Sequence, residues 1–182
     1  MTKAKMYPVL PYIGIPMICA SLLLLRAGRM DSFAMLRYEL IIVFGYLAAI
    51  IDIKEKKIPN SLVLAMLAAW VLIMAPKLFI DTDAAIVLLM DSVIGFAIGG
   101  GIFLLVYIIS RKGLGGGDVK FMAAAGLYLG LSGILPAMFC GTVLAALTGG
   151  VLILLKKIGR KDAIPLAPFL YAGILITLFL YS

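Results

Sequence analysis

The chain predicts an all-α fold, a polytopic transmembrane bundle of six to seven helices, and three observations predict it. Of its 182 residues, 64% are hydrophobic, whereas a soluble domain is closer to about half apolar. Seven apolar segments fill almost its whole length, several of them near the ~20 residues that span a bilayer, which leaves no room for a separate soluble domain. The Lys and Arg residues gather in the short breaks between these segments, as they do around membrane helices.

The segments run over roughly 8–25, 38–52, 61–75, 84–109, 118–131, 133–155 and 164–181. The first follows Lys3 and Lys5 as a signal peptide would. Arg26-Ala27-Gly28-Arg29 lacks a small-x-small cleavage pattern, however, so the segment reads as a retained helix. With an outer loop it makes up residues 1–37, and 38–182 form the rest of the bundle. The second, third and fifth segments are short for a full span and suit helices that begin or end in polar clefts. Pro59 fixes the turn into the third, with Asn60 and Ser61 as natural N-caps. Gly95, Gly99, Gly100 and Gly101 stud the fourth, and Gly95-x-x-x-Gly99 suits close helix packing. A Ser132-Gly133 break makes the fifth and sixth a hairpin or one bent element. Pro165 and Pro168 delete two backbone donors and give the seventh a rigid start.

Charge sets the expected orientation. Lys3, Lys5, Lys54, Lys56, Lys57, Arg111, Lys112, Lys120, Lys156, Lys157, Arg160 and Lys161 fall on one side. Arg26, Arg29, Arg37 and Lys77 fall on the other. The richer side is expected in the cytoplasm, with the N-terminus inside. The net charge of +7 is therefore a topology signal and not a nucleic-acid footprint. Cys19 and Cys140 lie inside apolar runs without C-x-x-C spacing, which indicates neither a disulfide nor a zinc site. The absence of histidine removes H-E-x-x-H metalloproteases and Ser-His or Cys-His nucleophiles. Carboxylate, lysine, hydroxyl and tyrosine remain for any chemistry.

Two acids stand out because an acid at the mouth of a membrane helix is costly without a function or a partner. Asp52 closes the second segment, where it opposes the helix macrodipole and is not explained as a cap. Asp118 ends the polar break Ser110-Arg111-Lys112-Gly113-Leu114-Gly115-Gly116-Gly117-Asp118. Its three glycines allow positive φ and close backbone approach, and the acid can cap a helix start. Lys120 is placed to stabilise that carboxylate, to bind a carbonyl or phosphate, or to snorkel to the interface. Both acids lie at the cytoplasmic ends of their helices in the charge-derived topology, and two nearby carboxylates are the minimum equipment of an aspartic protease. Asp91 is a third acid, near the outer interface, where a structural role is expected. A Ser110–Lys112 dyad would need two near-adjacent residues on a flexible loop to hold catalytic geometry.

Asp52 with Ile58-Pro59-Asn60, then Gly115-Gly116-Gly117-Asp118-Val119-Lys120, then Ile164-Pro165-Leu166-Ala167-Pro168-Phe169-Leu170, together resemble the type IV prepilin peptidases. These are integral-membrane aspartic proteases with a GxGD signature. The resemblance runs from about residue 38 to the end, and Asp91-Ser92 and Gly95 also resemble the run ahead of the GxGD loop. It implies that Asp52 and Asp118 are the catalytic pair, with Gly115, Gly116, Gly117, Lys120, Pro59, Asn60, Pro165 and Pro168 in supporting or substrate-binding roles. It also implies cleavage of the basic leader from type IV prepilin or pseudopilin substrates at the cytoplasmic membrane face, with no metal or cofactor. Larger bifunctional members carry an N-terminal cytoplasmic region, often with paired cysteines, linked to N-methylation. No such region stands between the first two apolar segments, so the chain resembles a short peptidase-only form, similar to those serving Tad/Flp pili or archaeal-type filaments. Two other classes are weighed. A protease of the presenilin or signal-peptide-peptidase kind carries Tyr-Asp at the first acid, whereas Ile51 precedes Asp52 here. A transporter using the acids as ion sites should show internal repeats and acids at mid-membrane.

Overall fold

A computed structural model describes residues 31–110, 113–157, 159 and 164–181. The expected first helix, Cys19 and most of the 1–37 unit lie outside the described residues. The rest is all-helical: α1 (Ser32–Glu55), α2 (Asn60–Ile80), α3 (Thr82–Ile109), α4 (Gly116–Leu154) and α5 (Ala167–Tyr181). The first four are long and apolar enough to cross a membrane. Among the described residues five helices stand, with the fifth and sixth apolar segments joined as two limbs of one element, α4, and the expected first helix outside the described residues.

A straight α4 would measure about 58 Å, nearly twice the ~30 Å hydrocarbon core. It does not run straight. Gly130 has φ 66° and ψ −175°, a conformation open essentially to glycine alone, and the helix breaks there. A Cβ on Gly99 of α3 would lie 2.6 Å from the Met122 carbonyl oxygen and 3.0 Å from Ile134 Cγ1. In an unbroken helix those two residues would be about 18 Å apart. The two limbs thus fold back side by side against α3. The expected hairpin is present, but its break is at Gly130 and not at Ser132-Gly133. The reason is tertiary: the Asp91 carboxylate of α3 accepts the Leu131 N–H (3.0 Å), capping the second limb where it starts.

The first limb is the centre of the molecule. Residues 121–130 are buried without exception, so a segment apolar on all sides has helices, not lipid, around it. Small residues make this possible where lipid gives helices no hydrophobic reason to associate. Gly95 and Gly126 meet backbone to backbone, and Gly141 of the second limb packs on Phe169 and Leu170 of α5. Trp70 and Tyr128 tie α2 to the first limb by donating to the carbonyls of Leu127 and Met66. Large apolar side chains such as Leu72, Val87 and Leu147 face outward.

Two boundaries differ from expectation. α1 starts at Ser32, so Arg37 lies within a helix and is buried, with its guanidinium over the Tyr38 ring, and does not belong to an outer loop. α2 starts with Pro59 in the N-cap position and no side-chain cap, and it continues through Pro76 to Ile80. Asn60 and Ser61 are not its caps.

Candidate active site

The C-terminal end of α1 and the N-terminal ends of α2, the first α4 limb and α5 converge at one end of the bundle. Asp52 sits in the last turn of α1 and is 5% exposed, and Asp118 sits in the first turn of α4 and is 8% exposed. Both line one cavity of about 340 Å³, together with Lys56, Lys57, Ile58, Asn60, Gly115, Gly116, Gly117 and Lys120. Their charges are near enough to interact across it.

Each acid is held differently. α1 ends with Lys56 in the left-handed region (φ 51°), its N–H bonded to the Asp52 carbonyl. The Asp52 side chain leaves its own helix and accepts the Ala167 N–H at 2.9 Å, across 115 residues of sequence. Asp52 is therefore a cap after all, of α5 and not of α1, and its charge complements the positive end of that helix. Leu166 accepts from Phe169 and Leu170, which makes it the N-cap residue and Ala167 the first helical one. Pro168 brings no N–H of its own. The prolines Pro165 and Pro168 do not line the cavity; they shape the helix start that aims Ala167 at Asp52. That role of Ala167 escaped sequence reasoning, although the segment containing it was singled out.

Asp118 occupies the third position of α4 and turns one oxygen back toward the Gly115 backbone, as the acid of a capping box does. Its Oδ1 is buried with no hydrogen-bond partner among the described residues. None of Gly115, Gly116 and Gly117 takes the positive φ that the sequence suggested; among the described residues Gly130 is the only glycine that does. Two of them serve close approach. A Cβ on Gly115 would lie 2.7 Å from Asp118 Oδ2, and one on Gly117 would lie 3.1–3.2 Å from three atoms of Ile58. Ile58, quoted in the motif with Pro59 and Asn60 but given no role of its own there, is buried beneath the loop.

Lys120 does not reach either acid. Its Nζ donates to Asn60 Oδ1 at 2.9 Å, which occupies the side chain expected to cap α2. Pro59 holds that N-cap position and stands outside the cavity lining. Ser110 is spent on its own helix end, donating to the Tyr107 carbonyl and accepting from Leu114 N–H, and Lys112 lies outside the described residues. Cys140 is a free thiol. Among the described residues no group of three or more His, Cys, Asp or Glu is placed to hold a metal ion.

Residues 39–155 match the family model described as the type IV leader peptidase family. The chain is similar to the prepilin leader peptidase/N-methyltransferase of Bacillus subtilis (strain 168), 29% identical over 137 residues that cover 75% of this chain and 52% of that protein. It is also similar to proteins of that name in Xanthomonas campestris pv. campestris, 27% identical over 66% of this chain and 41% of that protein, and Burkholderia pseudomallei (strain K96243), 32% identical over 75% and 45%. The chain spans about half the length of the curated relatives it matches. No solved structure matches it. The matched stretch contains both acids and stops before α5.

Proposed function

This chain belongs to the type IV leader peptidase family, and we propose that it is an aspartic endopeptidase that removes the basic leader from type IV prepilin-like or pseudopilin-like precursors at the cytoplasmic face of the cell membrane. The observation that carries this reading is the meeting of Asp52 and Asp118, 66 residues apart, at one cavity. Among the described residues Lys54, Lys56, Lys57, Lys120, Lys156 and Lys157 belong to the acid-bearing end, and Arg37 and Lys77 to the far one, which supports a cytoplasmic active site.

Two carboxylates at one site share a single proton. The Ala167 N–H stabilises negative charge on Asp52, so Asp52 is the base. It takes a proton from a water molecule as that water attacks the scissile carbonyl carbon. Asp118 also takes a backbone N–H, from Gly115, but its Oδ1 has no partner among the described residues, so that oxygen carries the shared proton and gives it to the carbonyl oxygen. The tetrahedral gem-diol then breaks its C–N bond: Asp52 passes its proton to the departing amine while one adduct hydroxyl returns its proton to Asp118 as the carbonyl re-forms, which restores the shared proton. A precursor whose apolar helix lies in the bilayer presents its leader junction at the depth of these acids.

The same cavity supports cleavage without methyl transfer. Lys56, Lys57 and Lys120 outnumber the two acids along its wall, an unfavourable surface for the sulfonium cation of a methyl donor. Incubating the purified protein with a candidate prepilin and reading the product mass tests both parts. Loss of the leader, with a free amine at the new terminus, is expected. A precursor left whole overturns the peptidase reading, and an added ~14 Da, one methyl group, overturns the second part.

A further inference from the structure

We infer that the groove between α2 and α3 is the binding site for the apolar helix of the substrate, which reaches the acids from the side, out of the bilayer. The inference rests on the leader-peptidase reading and gives it a binding surface. The groove has a volume of about 610 Å³ and is walled by Leu64 and Leu67 of α2, Gly100, Gly101 and Leu104 of α3, and Ala123 of the first α4 limb. Along α2 it extends from Asn60 to Leu67, about 10 Å or two helical turns.

Its lower end is the acid cavity. Asn60 and Lys120 line both spaces, and their 2.9 Å hydrogen bond stands at the boundary. An occupant lying in the groove would continue past that pair to the cavity where Asp118 Oδ1 has no partner. The groove floor favours a helix over a lipid chain. Gly95, Gly99 and Gly100 of α3 are each covered by α4, but a Cβ on Gly101 would meet nothing within 4 Å among the described residues. Bare helix backbone at the bottom of an apolar trough is the surface on which a second helix packs closely. A fluid acyl chain gains nothing from it.

Two experiments on the full chain in lipid nanodiscs decide the matter. Gly101→Phe fills the trough, and Gly150→Phe on the second α4 limb, equally free of neighbours among the described residues, is the control. Gly101→Phe should lower kcat/KM for an intact prepilin about tenfold or more while cleavage of a soluble peptide spanning the junction falls far less. Gly150→Phe should change neither. An equal loss on both substrates, or no loss on either, overturns the inference.

The second experiment does not depend on cleavage. A photoreactive side chain at Leu104 should capture the apolar helix of an added prepilin, and one at Leu147, exposed on the second limb, should not. Capture of phospholipid alone at Leu104 makes the groove a lipid site and overturns the inference. Capture of a prepilin that the unmodified protein never cuts leaves the groove standing and overturns the peptidase reading instead.

Discussion

Asp52 and Asp91 do the same local work at opposite ends of the bundle. Each leaves its own helix to accept one backbone N–H at the start of another: Ala167 for Asp52 and Leu131 for Asp91. Around Asp91 the chain is closed, because Gly130 presses so tightly on its carboxylate that a Cβ there would collide with it. Around Asp52 the chain is open, with a cavity and a second acid opposite. Capping a helix is thus compatible with a structural use and, on the proposed mechanism, with a chemical one. What separates the two is whether a second acid and room for a substrate stand across from the cap.

The comparison breaks most severely at the acid pair. Asp52→Asn or Asp118→Asn should each lower prepilin cleavage by about a thousandfold or more, and the double variant should lose little beyond either single one, because the pair acts as a unit. Leader release followed on gels or by mass, with circular dichroism as the folding control, measures this. Near-parental cleavage by either variant would end the aspartic mechanism.

Removing only the cap should cost less. Ala167→Pro deletes the N–H that serves Asp52 at a helix position where proline is favoured. A hydrogen bond to a charged group contributes about 1.5–3 kcal/mol, so kcat should fall about 10- to 100-fold. Ala167→Gly keeps the N–H and should stay close to the parent. Equal rates for these two variants would remove Ala167 from the mechanism.

At the far end the effects should appear in stability. Gly130→Ala forces a side chain into a glycine-only conformation and onto Asp91, with an expected loss on the order of 3 kcal/mol, read as a lower unfolding temperature in detergent. Asp91→Asn keeps an acceptor for Leu131 N–H and weakens only the charge at that helix start, a change of roughly 0.5–1 kcal/mol. Its cleavage rate should stay within about twofold of the parent. A large loss of activity in Asp91→Asn without unfolding would erase the distinction between the two acids.

The parts legible from sequence were those in which one residue announces its own anomaly. Asp52 was conspicuous because an acid at a helix C-terminus opposes the macrodipole, and Asp118 because three glycines precede a charge at the mouth of a membrane helix. The glycines of α3 were legible as packing, and Gly95, Gly99 and Gly100 are used so. What stayed hidden depends on partners distant in the chain. Ser132-Gly133 is the more obvious local break, yet the turn falls at Gly130 because Asp91 waits 40 residues earlier to cap the limb that follows. Asn60 looks like an N-cap, but Lys120 claims its oxygen across 60 residues. Ala167 has no chemical signature at all; only its main-chain N–H matters.

The bond from Asp52 to Ala167 also carries a consequence for timing. Chains are made from the N-terminus, at roughly 5–20 residues per second, so α1 enters the membrane well before α5. Until residue 167 arrives, both acids exist but one lacks the donor that orients it. On the proposed mechanism a partly synthesised bundle is an attenuated hydrolase beside the precursors around it. Full activity on that mechanism comes only when the last of the described helices locks in, which ties the rate of proteolysis to the completion of assembly.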